Sequence, residues 1–297
     1  MTFPPRHPYS VPLADGRVLQ LGPRPLVMGI LNVTPDSFAE ALPRVDPDAA
    51  VELALRMEGD GADIIDIGGE STRPGAEPLP AAEEARRVLP VLQKLRGHIR
   101  VPISIDTYKA VIAGAAIGEG AALVNDVSGL RYEPALAEVV AKTGAGLIVM
   151  HTRGRSKAMY QEAHYDDVVR EVVAEIEASL AVAAAAGVAR ERMIVDPGIG
   201  FAKRAADSYG VLARLSDLAA GLDRPVLVGP SRKSFMQGAL GVTPPPARDW
   251  GTAAAVTAAV LAGAHIVRVH AVAEMAQVVR VAEEIRRHAG PGEGSNR

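Results

Sequence analysis

The chain is predicted to fold as one (β/α)8 TIM barrel of the α/β class, preceded by a short N-terminal β-hairpin. Three observations carry this expectation. Eight short apolar runs, at residues 26–32, 63–68, 101–106, 122–126, 146–151, 193–196, 225–229 and 265–270, end in polar or glycine residues. Helix-like stretches separate them, as parallel strands joined by helical crossovers require. No break in composition divides the 297 residues, and closing eight units into one barrel removes both sheet edges. The expected layout is a hairpin extension over 1–22, one barrel domain over 23–290 and a flexible tail over 291–297.

The hairpin is read from apolar segments at 11–14 and 17–21 flanking Asp15-Gly16, a dipeptide suited to the positive φ angles of a tight turn. Further along, Asp46 followed by Pro47 is a helix start, cap then first-turn proline. Val168, Val169, Val172, Val173, Ile176 and Leu180 form an apolar stripe at helical spacing, closed by Gly187. Pro90 falls inside the otherwise helical segment 81–95, so a kink or local break is expected there.

Composition narrows the function. With 48% apolar residues and few aromatics, the chain suits helices packed on a buried sheet. A formal net charge of -3 offers no broad attraction to nucleic acid or anionic membranes, so any anion must be bound by particular Arg, Lys or His residues. The absence of cysteine removes thiolate nucleophiles and thiolate metal sites. No apolar run reaches membrane-spanning length, and the amino terminus lacks a secretory pattern, so a cytoplasmic protein is expected.

Barrel enzymes place their reacting groups where strands run out into loops. Here those places carry Asn32, Asp66, Asp106, Asn125, His151, Asp196, Lys233, Arg268 and His270. Any one of them could simply cap a helix or turn, but recurrence around the ring points to chemistry. Two loops, Asn32-Val-Thr-Pro-Asp-Ser-Phe38 and Gly68-Gly-Glu-Ser-Thr-Arg-Pro-Gly75, are long for such connections and suited to act as lids. Thr72 and Arg73 offer a hydroxyl and a guanidinium, groups that bind phosphate oxygens, amid glycines that permit close backbone approach.

These segments, with Ser104-Ile-Asp-Thr-Tyr108, Asn125-Asp-Val-Ser-Gly129, Asp196-Pro-Gly-Ile-Gly-Phe201, Ser231-Arg-Lys-Ser-Phe235 and Arg268-Val-His270, resemble the dihydropteroate synthase family. The resemblance runs from Val27 to Val272, and seven motifs in order make it specific. It implies condensation of a hydroxymethyl-dihydropterin diphosphate with para-aminobenzoate in folate biosynthesis.

The resemblance also implies a division of labour. Asp106, Asn125, Met150, Asp196, Gly229 and Lys233 would line the pterin pocket, with Asp196 accepting two parallel hydrogen bonds from the amino-pyrimidinone edge. Asn32, Thr72, Arg73, Arg268 and His270 would face the diphosphate, with Mg2+ held through Asn32. Thr72, Pro74, Gly200, Phe201 and Ser231 would form the para-aminobenzoate site once the lid loops close. Asp106, Asp196, Lys233, Arg268 and His270 would carry the catalytic roles: cations drawing off the leaving group, carboxylates stabilising the positive charge on the pterin methylene. His151 is read as structural. A homodimer through helices near the carboxyl end is implied as well.

Three places depart from the family's usual pattern. Ala39-Glu-Ala-Leu42 replaces a glycine-rich stretch after Phe38, Ala202 stands before Lys203 where glycine is common, and Ala271 follows Arg-Val-His where aspartate is common. Two other readings remain open at this level. A pterin-binding methyltransferase barrel shares the pterin carboxylates and amide but has no need of Thr72-Arg73 and Arg268-Val-His270. A noncatalytic pterin-binding paralogue draws its support from the altered lid.

Overall fold

The computed structural model describes residues 3–34, 46–72, 75–155 and 159–289. Its elements are β1 (Tyr9–Pro12), β2 (Val18–Leu21), β3 (Leu26–Asn32), α1 (Pro47–Gly59), β4 (Ile64–Gly68), α2 (Ala81–Leu95), β5 (Ile103–Asp106), α3 (Ala110–Gly118), β6 (Leu123–Asp126), α4 (Ala135–Thr143), β7 (Gly146–Met150), α5 (Val168–Ala185), β8 (Met193–Asp196), α6 (Ala205–Ala213), α7 (Leu215–Leu222), β9 (Leu227–Val228), α8 (Gln237–Leu240), α9 (Asp249–Leu261), β10 (Ile266–Val269) and α10 (Val272–His288). Strands β3 to β10 pair in parallel in the order β8-β7-β6-β5-β4-β3-β10-β9. An isolated parallel bridge between Val195 and Val226 brings the two ends together and completes a nearly closed barrel.

Strand parity decides what faces where, because successive side chains point to opposite faces. Met28, Ile64, Leu123, Ile148, Ile194, Leu227 and Ile266 form an apolar plug inside the barrel, which the hairpin caps with Val11, Leu13, Leu19 and Leu21. The alternate residues, among them Val27, Ile65, Ile105, Val124, Val149, Val195 and Val267, pack outward against the helices in a separate and larger core.

Local signals hold where the sequence supplies them. Asp46 caps α1, its side chain accepting from the Asp48 amide. The Asp167 carboxylate, which the sequence reading passed over, caps α5 by accepting from Val169 and Arg170. Gly187, at φ +95°, follows the end of that helix.

Two expectations are corrected. The hairpin strands end at Pro12 and resume at Val18, so the connection is longer than a two-residue turn. The Gly16 amide donates to the Leu13 carbonyl at 3.2 Å, and of the dipeptide only Gly16, at φ +82°, is left-handed. That is a turn followed by a left-handed glycine, which needs one positive φ where a two-residue turn of the Asp-Gly kind needs two. Pro90 does not break its helix: α2 runs unbroken through it. Proline forfeits one backbone bond to the carbonyl four residues back, while Val88, Val91, Leu92 and Leu95, all fully buried, hold the helix to the barrel on either side.

Candidate active site

The period that fills the barrel floor continues upward into a layer with four polar side chains. Two positions beyond Met28, Ile64, Leu123, Ile148, Ile194, Leu227 and Ile266 stand Ile30, Asp66, Asn125, Met150, Asp196, Gly229 and Arg268. By parity these share the interior face. Asn32 pairs in register with Gly68, Gly68 with Asp106, and Asp106 with Asn125, so the amides and the carboxylate lie at one level. Met150 and Asp196 are partners in the same way.

Arg268 is the hub of this layer. Its Nε donates to Asp66 Oδ2 at 2.6 Å and its Nη2 to Asp106 Oδ2 at 2.7 Å. Asn125 Nδ2 donates to the same Asp66 oxygen at 2.9 Å, while Asp66 Oδ1 is buried without a hydrogen-bond partner. Burial alone would make the guanidinium less basic; Asp66 and Asp106 outweigh it and raise its pKa. Burial pushes the Asp106 carboxyl up to about 7, with Arg268 opposing the shift. Asp66 was recognised in the sequence only as a strand-end carboxylate, yet it fixes both Arg268 and Asn125.

Asp196 and Lys233 form the opposite side. The Gly198 amide donates to Asp196 Oδ1 at 2.7 Å. Burial raises the Asp196 pKa against the opposing charge of Lys233, and burial lowers Lys233 to about 8 despite Asp196. Lys233 Nζ donates to the Ile199 carbonyl at 2.5 Å and sits 4.4 Å from the Phe201 ring centre. Gly229 separates the two sides: a Cβ there would lie 3.7 Å from Arg268 Cβ and 3.9 Å from Asp196 Oδ2. Arg268 and Asp196 therefore border one space.

Beside this space is a cavity of about 220 Å³ whose walls include Glu70, Thr72, Tyr108, Tyr132 and Phe201. Tyr108, Val127 and Met150 form an apolar cluster against which Tyr132 and Phe201 pack. The tyrosines meet edge to face at 5.2 Å. Tyr108 enters the sequence analysis only as the end of the Ser-Ile-Asp-Thr-Tyr motif, and Tyr132, a lone aromatic in a polar loop, carries no local signal. Below the Thr72 loop, Lys109 Nζ bridges the carboxylates of Glu70 and the fully buried Glu84.

Gly198 is obligatory: at φ +66°, a Cβ would fall 1.9 Å from the His151 carbonyl oxygen. His151 works as a structural group here. Its Nδ1 faces Lys203 Nζ at 2.7 Å and its Nε2 faces Glu175 Oε2 at 3.2 Å, so a neutral ring accepts from the ammonium and donates to the carboxylate. Burial, aided by Lys203, lowers its pKa to about 3. Lys203, 1% exposed, also donates to the carbonyls of Gly198 and Phe201 at 3.3 and 3.2 Å, tying down the loop that carries Phe201. Sequence reasoning noted Lys203 only as a neighbour of Ala202, because a lysine is ordinarily a surface residue.

Ala202 itself has φ +45° and is fully buried, its carbonyl accepting from the Tyr165 hydroxyl at 2.9 Å. A left-handed alanine costs about 1–2 kcal/mol, whereas deleting a buried methyl costs about 0.8 kcal/mol. Ala202→Gly is therefore expected to leave the fold as stable or more stable by roughly 0.5 kcal/mol. Thermal melts check this; a loss of about 1 kcal/mol or more would show that methyl packing outweighs the backbone strain.

Ser231 and His270 meet at the mouth, with Oγ and Nδ1 2.9 Å apart and the His270 amide donating to the same Oγ at 3.2 Å. Asn32 ends β3, half-buried. The structure thus gathers Asp106, Asn125, Met150, Asp196, Gly229, Lys233 and Arg268 in one layer, with Gly200, Phe201, Thr72, Ser231 and His270 around it. Arg73, Pro74 and the segment 35–45 with its departure after Phe38 lie outside the described residues. Among the described residues, no group of three or more His, Cys, Asp or Glu could hold a metal ion, and no helix is long and apolar enough to cross a membrane.

Residues 28–270 match the family described as pterin binding enzyme. The chain is 44% identical over 285 residues to the dihydropteroate synthase of Synechocystis, covering 96% of each chain. To the dihydropteroate synthase of Escherichia coli it is 42% identical over 270 residues, 91% of this chain and 94% of that one. Among solved structures, Xanthomonas albilineans dihydropteroate synthase with 4-aminobenzoic acid superposes with a TM-score of 0.86 at 41% identity, covering 95% of this chain and all of that one. Burkholderia cenocepacia dihydropteroate synthase complexed with 7,8-dihydropteroate gives 0.84 at 41% identity, over 95% of this chain and 98% of that one.

Proposed function

The chain belongs to the dihydropteroate synthase family of pterin-binding enzymes, transferases of folate synthesis, and on that premise we propose how its residues divide the reaction. The substrates are a dihydropterin diphosphate and para-aminobenzoate. The observation that carries the assignment is the shared space between Asp196 and Arg268 across Gly229.

The pterin lies on the polar layer. The Gly198 amide bond to Asp196 Oδ1 fixes the carboxylate plane, and a remaining lone pair on each oxygen accepts from the ring's N–H donors. Asn125, steadied by Asp66, and Lys233 complete the edge, and Met150 packs on the ring face. Arg268 spends Nε and Nη2 on two carboxylates, leaving Nη1 to meet the diphosphate together with His270, Thr72 and Arg73. A guanidinium held beforehand in this way loses little freedom when charge develops on the departing oxygens.

As the carbon–oxygen bond breaks, its electron pair leaves with diphosphate and positive charge spreads from the methylene into the pterin. Asp106 and Asp196 stabilise that charge. The arylamine nitrogen then attacks the methylene carbon and releases one proton to solvent, so a strong base is not required. Phe201 forms an aromatic wall for the arylamine, with Gly200, Thr72 and Pro74 beside it and Ser231 at its carboxylate. Mg2+ suits phosphate oxygens plus a single hard protein oxygen, and Asn32, an amide at a strand end with no acidic cage around it among the described residues, fits that donor set; when bound, the ion would neutralise the leaving group.

Asp106→Asn is expected to lower kcat by about 10²-fold or more while the pterin Kd changes only severalfold, since the charge matters most in the transition state. An equal loss in binding would remove Asp106 from that role. Assembly as a homodimer through the C-terminal helices is part of the same proposal, supported by the exposed Trp250 on α9 and Val281 and Ile285 on α10. A cytoplasmic setting follows from the biosynthetic role of its relatives.

The decisive assay combines the purified protein, Mg2+, dihydropterin diphosphate and para-aminobenzoate, and measures diphosphate release with and without the amine. Amine-dependent release with matching dihydropteroate is expected. Pterin binding without release would overturn the assignment and favour a noncatalytic paralogue.

A further inference from the structure

Arg232 stands between Ser231 and Lys233 with φ +58°, a conformation that a residue with a side chain rarely adopts. Its polar groups are tied to the segment leading into and opening α9. The backbone amide donates to Thr252 Oγ1 at 3.0 Å, and the carbonyl accepts from Arg248 Nη1 at 2.8 Å. The guanidinium donates two parallel bonds to Asp249, 2.8 Å from Nε to Oδ1 and 2.7 Å from Nη2 to Oδ2. Arg248 is itself pinned through the Thr243 carbonyl at 3.0 and 2.6 Å. Thr252 and Arg248 are buried, at 1% and 7% exposure.

The turn aims its two neighbours at different walls of the site. Ser231 meets His270 after β10, and Lys233 reaches across to Ile199 and Phe201 after β8. Backbone strain of this kind persists only where the surroundings over-determine it, and here the surroundings are Asp249, Thr252 and Arg248. We propose that Asp249 is a positioning residue for the reaction, holding the left-handed Arg232 turn so that Ser231 and Lys233 face their substrates, although Asp249 touches neither. The proposal rests on the assignment of Ser231 and Lys233 to the substrates made above.

Glycine adopts a left-handed backbone at no steric cost, which supplies a rescue that a merely structural ion pair would not show. Steady-state kinetics for both substrates, with melting temperatures, would be measured for Asp249→Asn, Arg232→Ala, Arg232→Gly and the double variant Arg232→Gly/Asp249→Asn. Asp249→Asn and Arg232→Ala are expected to lower kcat/KM by about tenfold or more, chiefly by raising KM for both substrates. Arg232→Gly is expected to recover several-fold over Arg232→Ala, and adding Asp249→Asn to it to change KM less than twofold. An unchanged KM in Asp249→Asn, or a full Asp249→Asn effect in the Arg232→Gly background, would overturn the positioning role. Lys233→Met and Ser231→Ala provide the separate control: if neither raises a KM, the site assignment fails, and the positioning proposal with it, whatever Asp249 does.

Discussion

Replacing Arg268 with methionine is expected to lower kcat/KM by about 10³-fold and to destabilise the fold by about 3–5 kcal/mol. Both effects have one origin. Arg268 is the cation on which Asp66 and Asp106 converge, and Asp66 is fully buried. Without it, two neighbouring carboxylates lose the cation that offsets their mutual repulsion. Removing one partner of a buried pair leaves the other's desolvation uncompensated, which is why the loss exceeds the net worth of the interaction.

The pH dependence gives the prediction its signature. Even with Arg268 present, burial holds the Asp106 pKa near 7, above the ordinary 3.8. A group whose folded pKa is raised favours the fold when protonated, and that contribution is lost as pH rises through the folded value. Loss of Arg268, which opposes the rise, moves the folded value higher still. The stability deficit of Arg268→Met relative to the native protein should therefore be smallest and flat below about pH 7 and grow as the pH rises above it. Denaturant unfolding across that range checks this; a pH-independent deficit would show that lost packing, not the orphaned carboxylates, is responsible. Arg268→Lys should recover stability better than activity, because an ammonium can neutralise but cannot reproduce the fork that spans two carboxylates and, in the proposed assignment, a phosphate.

Asp196→Asn is the second large effect, and it should separate function from stability. In the proposed assignment, two charge-assisted hydrogen bonds to the pterin edge, each worth about 1.5–3 kcal/mol, are replaced by one acceptor and an amide that opposes the ring's donors. The expected result is a loss of kcat/KM of about 10²-fold to 10³-fold, accompanied by weaker pterin binding. The Gly198 bond survives, since the amide oxygen can accept it as Oδ1 does now. Burial raises the Asp196 pKa, so ionising it costs the folded state stability as pH rises, and asparagine removes that cost. The melting temperature should hold or increase, more so at higher pH. Isothermal titration with the pterin substrate and thermal melts would decide it; unchanged pterin affinity would remove Asp196 from the pocket.

The sequence by itself determined the barrel and the address of the site. The eight runs fall within two residues of the strands that form, because a short apolar run closed by polar or glycine residues is a local signal. Most of the residues gathered in the polar layer could be picked out because a barrel delivers the ends of its strands to one mouth. Tertiary structure alone decided what those ligands touch. Arg268 meets partners 202 and 162 residues away, Lys203 disappears beneath Phe201, and Arg232 and Ala202 take left-handed backbones that nothing in their side chains announces. Pro90 stays within α2 for the same reason. Such outcomes depend on burial and on bonds between distant segments, whose free energies exceed the local preferences that a linear pattern records.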